Sequence, residues 1–501
     1  MNTPALAQPL PGGPRPARWR RLLRWGLYSL AALVGLPLLV MLAWVLSNLG
    51  DIAPVPQPAA LALPAPELRD EGNGFFALVG LNAQAGRDPA SAGRAVWLAN
   101  RDWAAAMPSN RVGLPTELAQ RDAADKQAMG ERLQGFVAAP AVCNAEDIDC
   151  AEQWLRASSE LAAQRDRHAL QGARCEALLG NGFAFEEPRQ APHGLAQELA
   201  EHASGASFCS AWLRSGAVLA WQQSRRAQAL VLLQQSARLD TALLEGGITH
   251  INQMVALRLT RNTQEGALAL GLRDPDFARE LLPLFSPVPD LIGPVRRWMV
   301  HESNFGRMAL AGLDACHSPS NSAPYPQPGW VSSVVEDAFS ALACRQIGWH
   351  PQRTQAAADA RWLDMLQGLD HGLSGALQHL DAMRQAQDQR SLWARLAWRN
   401  SIGVALLAAN GQASWAGSLA RRADVELHRQ ATLLALKAAA ERVPAAERAA
   451  WSQRQDLSAD LRERLLWDAN GQAFSVRPWQ GTLGTAPVDP RVALRIVWPA
   501  S

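Results

Sequence analysis

The sequence predicts a mainly α-helical protein: an N-terminal transmembrane helix, an irregular α-helical body of hairpin-like pairs, and a small C-terminal β-hairpin. Three observations predict it. Residues 26–46 form an unbroken apolar run behind a cluster of arginines. Residues 207–271 carry apolar side chains at the three- and four-residue spacing of amphipathic helices. Residues 466–476 read as a strand, an Asn-Gly turn and a second strand.

The run from Gly26 to Leu46 holds no ionisable side chain except Tyr28. At ~1.5 Å per residue it makes a helix of about 31 Å, enough to cross the hydrocarbon core of a bilayer. Arg15, Arg18, Arg20, Arg21 and Arg24 precede it with no acid among them, and after it no cation comes before Arg69. Cations on one flank hold that flank in the cytoplasm. The N-terminus is therefore expected in the cytoplasm of a bacterium, with the chain after Asn48 across the inner membrane in the periplasm. Trp19, Trp25 and Trp44 suit the headgroup layers, and Pro37 is tolerable mid-span. A cleaved secretory signal has a shorter apolar region and a small-x-small cleavage site. The tail SNLGDIAP offers a poor site, so the run reads as an uncleaved, single-pass signal anchor. Residues 1–25 are then a cytoplasmic basic tail and 26–46 the anchor.

Pro54, Pro56, Pro58, Pro64 and Pro66 alternate with small residues through 47–68. This predicts an extended tether rising ~3.1 Å per residue, which would hold the body some tens of ångströms off the membrane.

Residues 69–460 read as the helical periplasmic domain, with a possible subdivision near 283–330. Asp88-Pro89 is a helix start, an acceptor at the cap followed by a proline whose missing N–H is harmless in the first turn. That helix runs through Trp97 and Trp103 to Met107. Others are expected at Thr116–Leu133, from Asp147 through Trp154 and Leu161 to Leu179, and at His193–His202 before Gly205. Between Ser207 and Gly271, one helix begins with Trp212, Val218 and Trp221 and a second with Ala227, Leu230 and Leu233. A third comprises Leu243, Leu244, Ile248, Ile251, Met254 and Leu259, its first turn loosened by Gly246-Gly247. Repeated helical hairpins suggest an irregular helical array, without a strict period of about 34 residues. Prolines between Pro283 and Pro294 break the series, and Val295–Leu313 is helical again. His317–Gly329 is a loop. Ser333 to Glu336 forms a capping box. Helices follow at Gln352–Leu366, Leu373–Arg384, Leu392–Ala408, Trp415–Arg442 and Pro444–Arg454. Residues 461–501 form the small β appendage: the hairpin at Leu466–Val476, with Val492–Trp498 as a third strand.

The chain has 501 residues, 48 basic and 46 acidic. With the five tail arginines set aside, the remainder has 43 basic against 46 acidic residues. No clustered basic face of the kind nucleic acid requires is present, so no nucleic-acid partner is expected. Lys126 and Lys437 are the two lysines, and the arginine excess reads as compositional bias rather than as phosphate clamps. Six cysteines follow the span: Cys143, Cys150, Cys175, Cys209, Cys316 and Cys344. An even number in an oxidising compartment favours disulfides. Cys143–Cys150 would close a short loop, Cys316–Cys344 would bridge a proline-rich one, and Cys175–Cys209 follows by elimination. Metal binding would need a closer Cys or His spacing.

The segments DIDCAEQWLR (147–156), LLQQSARLDTALLEGGITHINQMVALRLTRN (232–262) and WDANGQAFSV (467–476) resemble, in patches over about half of the chain, a family of uncharacterised proteobacterial proteins. Those have one N-terminal membrane anchor and a helical periplasmic body. The resemblance implies a helical fold; it implies no activity and transfers no functional residue.

Candidate chemistry is sparse. Gly372-Leu373-Ser374-Gly375-Ala376 misses the nucleophile-elbow pattern at its last position, and its helical surroundings favour a helix-start serine over a catalytic one. His301-Glu302 lacks the second histidine of a zinc helix. His250, Asn252 and Gln253 on an apolar helix read as groups that satisfy a neighbouring helix's backbone. Glu186-Glu187 reads as a solvated loop. The 19 tryptophans are spread along helices. No catalytic, cofactor-binding or metal-binding residue is nominated, and no cofactor is expected. The sequence points to a membrane-anchored periplasmic scaffold or interaction module whose partners are the lipid bilayer and an envelope protein. The alternative is a periplasmic hydrolase acting on cell-envelope material.

Overall fold

The structure, a computed structural model, describes residues 16–48, 50–63, 72–106, 154–180, 182–188, 201–287, 290–312, 349–388, 400, 403, 407, 412–479 and 494–498. The chain divides into two packed units, residues 1–53, 315–353 and 391–405 in one and residues 54–314, 354–390 and 406–501 in the other.

The first unit contains α1 (Pro16–Asn48), with Pro37 inside it. Its stretch Leu22–Ala43 is long and apolar enough to cross a membrane, and none of it is buried. Arg18, Arg20, Arg21 and Arg24 fall in the first turns of α1, while Arg15 lies outside the described residues. Beyond α1, the Asp51 carboxylate accepts from the N–H groups of Gln352 (2.7 Å) and Arg353 (3.1 Å), satisfying two donors of a helix's first turn.

The second unit is mostly helical and ends in a three-stranded sheet. Its helices are α2 (Gly74–Val79), α3 (Pro89–Ala106), α4 (Ser158–Arg167), α5 (Ala169–Gly180), α6 (Glu201–Gln222), α7 (Arg226–Gly246), α8 (His250–Gly271), α9 (Pro275–Phe285) and α10 (Ile292–Gly312). There follow α11 (Pro351–Gly368, which belongs to this unit from Thr354), α12 (Gly372–Asp388), α13 (Gln412–Ala440), α14 (Ala445–Gln453) and α15 (Ala459–Arg464). The core that they enclose includes Phe75, Phe76, Phe277, Trp298 and Phe474, all among the largest fully buried side chains.

Several helices begin and end where their residues predict. Asp88 Oδ2 accepts from Ser91 N (2.8 Å) and Ser91 Oγ (2.7 Å), and these bonds hold its carboxyl below the usual range. Asp274 Oδ1 accepts from Asp276 N and Phe277 N at 3.2 and 3.1 Å, with Pro275 at the first helical position. Strands β1 (Leu465–Trp467), β2 (Ala473–Val476) and β3 (Leu494–Val497) pair antiparallel in the order β1-β2-β3, with Leu466 opposite Ser475 and Ser475 opposite Arg495. Gly471 of the Asn-Gly turn has φ 63°, the left-handed region that only glycine enters freely. The sheet is tied to α14, because Trp467 Nε1 donates to Ser452 Oγ at 3.0 Å.

Other boundaries differ from the expectation, each for a physical reason. The helix expected from Asp147 to Leu179 is two helices: α4 ends at His168, whose N–H is shared between the carbonyls of Gln164 and Arg165 at 3.2 Å each. Gly205 does not stop a helix but lies inside α6. A Cβ there would stand 2.3 Å from Leu78 O, so the glycine permits backbone contact between α2 and α6. Leu243 and Leu244 complete α7, and Gly246-Gly247 is the break before α8 rather than a loose first turn within it. Pro283 lies in the last turn of α9, not beyond it.

The proline-rich segment, expected to be an extended tether, turns through a short 3-10 helix at Ala59–Leu61, and from Val55 it lies against the body. Leu61 is buried, and Asn304 and Arg307 of α10 donate to Leu61 O (2.7 Å) and Val55 O (2.8 Å). The helix expected at Thr116–Leu133, the loop His317–Gly329 and the capping box at Ser333 lie outside the described residues.

One disulfide is described. Cys175 on α5 and Cys209 on α6 are joined, S–S 2.00 Å and Cα–Cα 5.4 Å, and both are fully buried. Cys143, Cys150, Cys316 and Cys344 lie outside the described residues.

Candidate functional site

The polar groups of the second unit concentrate where α7 turns into α8. The connection Gly247–Thr249 leaves the last carbonyls of α7 and the first N–H groups of α8 without helical partners. Side chains of α8 itself, of the loop at Glu187 and of α10 supply them. Asn252 Nδ2 donates to Leu243 O (3.1 Å), and Gln253 Nε2 donates to Leu244 O (3.1 Å) and Gly247 O (2.8 Å). These are the backbone-satisfying roles that the sequence suggested for this pair.

Glu187 overturns its expectation. It is buried rather than solvated: its carboxylate accepts from Ile248 N (2.7 Å), Thr249 N (3.0 Å) and Thr249 Oγ1 (2.7 Å). The negative charge sits at the positive end of α8, where the helix field favours it. Asn73 holds the loop that delivers Glu187, accepting from Glu186 N (3.0 Å) and donating to Glu186 O (2.7 Å). His202 of α6 completes the corner, its Nε2 lying 3.2 Å from Asn252 Oδ1 and 3.9 Å from Glu187 Oε1. Because the Asn252 amide nitrogen is used on Leu243 O, its oxygen accepts, and His202 donates through Nε2.

The corner continues outward. Arg422 of α13 donates to Gln253 Oε1 at 2.7 Å, and burial lowers its guanidinium to about 10, against the pull of Asp290. Glu302 of α10 accepts from His250 N at 2.9 Å, so Glu186-Glu187, His250/Asn252/Gln253 and His301-Glu302 are brought to one region. The His250 ring stacks on Trp298 (5.4 Å between centroids) and meets Trp415 edge-on (5.3 Å), and Trp415 in turn meets Trp362 at 5.2 Å. Burial, then the charge of Arg421, lowers the His250 pKa, so its imidazole is neutral at pH 7. Trp298 is buried, whereas Trp362 and Trp415 are half-buried.

A second polar layer crosses the interior between α6, α7, α8 and α13. Ser236 and Thr263 share a hydrogen bond of 2.8 Å, and His428 pairs through Nδ1 with Gln264 Oε1. Asp240 is fully buried, and neither of its carboxylate oxygens has a partner at hydrogen-bonding geometry. Burial pushes Asp240 up to about 7, against the pull of the Thr263 hydroxyl and the Arg214 guanidinium. Arg214 lies 4.8 Å over the Trp154 ring, and burial lowers it to about 10. Burial likewise lowers His428 to about 3.

A surface concavity of about 530 Å³ lies elsewhere, lined by Arg279, Leu282, Lys437, Ala440, Glu441 and Arg442. Its cations answer local negative charge. Arg279 donates to Ala440 O at the end of α13 (3.0 Å) and pairs with Asp276, which Arg442 approaches to 3.7 Å. Ser374 stands in the first turn of α12 and donates to Asp460 Oδ2 at 2.5 Å, a structural contact of a helix-start serine. Among the described residues no group of three or more His, Cys, Asp or Glu side chains is arranged to hold a metal ion.

The strongly shifted groups Asp240, Arg214, Arg422 and His428 therefore lie inside helix interfaces, and none of them lines the concavity. What this arrangement does is fix the angle between α7 and α8 and the seating of α13 on α8. Sequence reasoning missed Asp240 and Arg214. A signal was present: Ser236 and Asp240 occupy the same stripe of α7 as the buried Leu232, Leu233, Leu239 and Leu243, polar types at core positions. Comparison with protein-family models, with curated proteins and with solved structures returns no match to this chain.

Proposed function

We propose that this chain is a single-pass protein of the bacterial inner membrane whose helical body stands in the periplasm as a scaffold for an envelope protein. The observation that carries the reading is the pairing of an apolar helix near the N-terminus, the one candidate span among the described residues, with a buried disulfide, Cys175–Cys209, in the body that follows. A disulfide of this kind persists in an oxidising compartment, and the arginine flank of α1 supports the same side for the body. The scaffold role is supported by where the ionisable groups sit. Those with the largest shifts are enclosed between helices and do not line the surface concavity.

The test is crosslinking in intact cells, followed by mass spectrometry of what the body captures. The reading expects one envelope protein to be captured reproducibly and in a fixed ratio. Capture of no protein, together with turnover of an envelope substrate by the purified chain, would replace the scaffold with a hydrolase.

A further inference from the structure

We propose that the buried polar layer between α6, α7 and α8 is an internal water-binding site, in which one ordered water beside Gly266 bridges Arg214 to Asp240 and Ser210.

The donors and acceptors come from three helices. Ser210 and Arg214 stand one turn apart on α6, and Ser236 and Asp240 one turn apart on α7, so each pair shares a helix face. Thr263 of α8 meets both members of the α7 pair. It shares a hydrogen bond of 2.8 Å with Ser236, and its hydroxyl acts on Asp240. Gly266, one turn further along α8, meets the α6 pair through the Arg214 stem. Arg214 and Asp240 attract each other, yet they do not bond directly. Arg214 Nε, Ser210 Oγ and both Asp240 carboxylate oxygens are buried without a hydrogen-bond partner. Each such atom is costly to leave unpaired, and buried polar atoms of native proteins find partners in protein or in ordered water.

Gly266 supplies the room. It is buried, yet a Cβ built on it would meet only Arg214 Cδ at 3.8 Å and Arg214 Cγ at 4.0 Å, its chain neighbours and its own helix backbone aside. Gly271 in the same helix shows the contrast. A Cβ there would lie 2.4 Å from Leu436 Cδ2, so that glycine serves close packing. At Gly266 no neighbouring element approaches so closely, and a glycine inside a helix weakens it. The space that it leaves adjoins a guanidinium. A polar space of this kind holds water, whereas an apolar one stays dry.

The hydrogen bonds close around a single molecule. Arg214 Nε–H donates to the water oxygen, and the two water hydrogens go to an Asp240 carboxyl oxygen and to Ser210 Oγ. Three partners are usual for a buried water. The water gives Asp240 one donor, where an ionised carboxylate has about four acceptor sites, so this carboxyl stays largely unsatisfied. The link joins α6 to α7 where their side chains do not join by themselves.

Urea unfolding of the full chain in detergent tests the site with two substitutions at one position. Gly266→Ala puts a methyl group in the space and expels the water. Gly266→Ser puts a hydroxyl where the water stood. In a dry space the alanine variant would raise the folding equilibrium constant by about two- to fivefold through helix propensity, and the serine variant would fall below it. The water site reverses both signs. The alanine variant should lower the constant by roughly tenfold, because polar atoms lose their partner, and the serine variant should recover roughly threefold of that loss. An alanine variant at or above wild type overturns the proposal, as does a serine variant at or below the alanine one. A crystal structure of the wild-type chain decides it without any variant. Ordered density within hydrogen-bond distance of Arg214 Nε and Asp240 is the expected result, and empty density there overturns the site.

Discussion

Replacing Asp240 with asparagine should remove a pH dependence that this one carboxylate imposes on the whole body. Asp240 is raised from 3.8 to about 7 in the folded state by burial. Between those values the folded protein binds a proton that the unfolded chain does not. Stability is then highest below pH 3.8, falls as pH rises through the window, and levels off above 7. At ~1.4 kcal/mol per pKa unit, a gap of about three units amounts to ~4 kcal/mol between pH 4 and pH 8. The attraction of Arg214 is already contained in that value and is not subtracted again. The asparagine amide brings an extra donor into the layer, which shifts the variant's stability by the same amount at every pH. The quantity to measure is therefore the pH-dependent part of the difference. Urea unfolding of the full chain in detergent, followed by tryptophan fluorescence from pH 4 to 8, supplies it. The variant should gain ~4 kcal/mol on the wild type across that range, with the same denaturant slope. Parallel curves for the two proteins would refute the assignment of a buried, unsatisfied carboxylate at this position.

Glu187→Ala should destabilise the body by ~3 kcal/mol, because three hydrogen bonds to one buried carboxylate are lost at the start of α8; faster amide exchange at Ile248 and Thr249 localises the effect. Arg442→Gly should stabilise by ~0.5–1 kcal/mol in the same urea assay, since Arg442 has φ 54° just beyond α13, where Val443 N bonds back to Ala438 O. Serine at both Cys175 and Cys209 should lower stability by ~4 kcal/mol, the chain-entropy value for a closed loop of this length; a change below ~1 kcal/mol would contradict a buried staple.

The elements legible in the sequence were those whose signal is local. Asp88-Pro89 and the Asn-Gly hairpin announce themselves because a cap or a two-residue turn needs particular side chains within three or four positions. The apolar stripe of α8 was legible for the same reason. What failed was local chemistry with a long-range cause. Gly205 and Gly246-Gly247 look alike as glycines, yet the first serves contact with Leu78 inside a helix and the second ends one; only the distant partner distinguishes them. Glu187 looked solvated because its partners, Ile248 and Thr249, lie some sixty residues along the chain. The proline segment looked free because nothing in its own composition reveals Asn304 and Arg307. Asp240 was the one case where a closer reading of periodicity alone, a carboxylate on a leucine stripe, would have served.

The placement of the body beyond the membrane is tested most directly by topology. Two reporters are fused in turn after Ser501 in living cells, one that folds only in an oxidising compartment and one that works only in the cytosol. The account predicts activity from the first and silence from the second. The opposite pattern would put the body on the cytosolic side and remove the compartment in which Cys175–Cys209 persists.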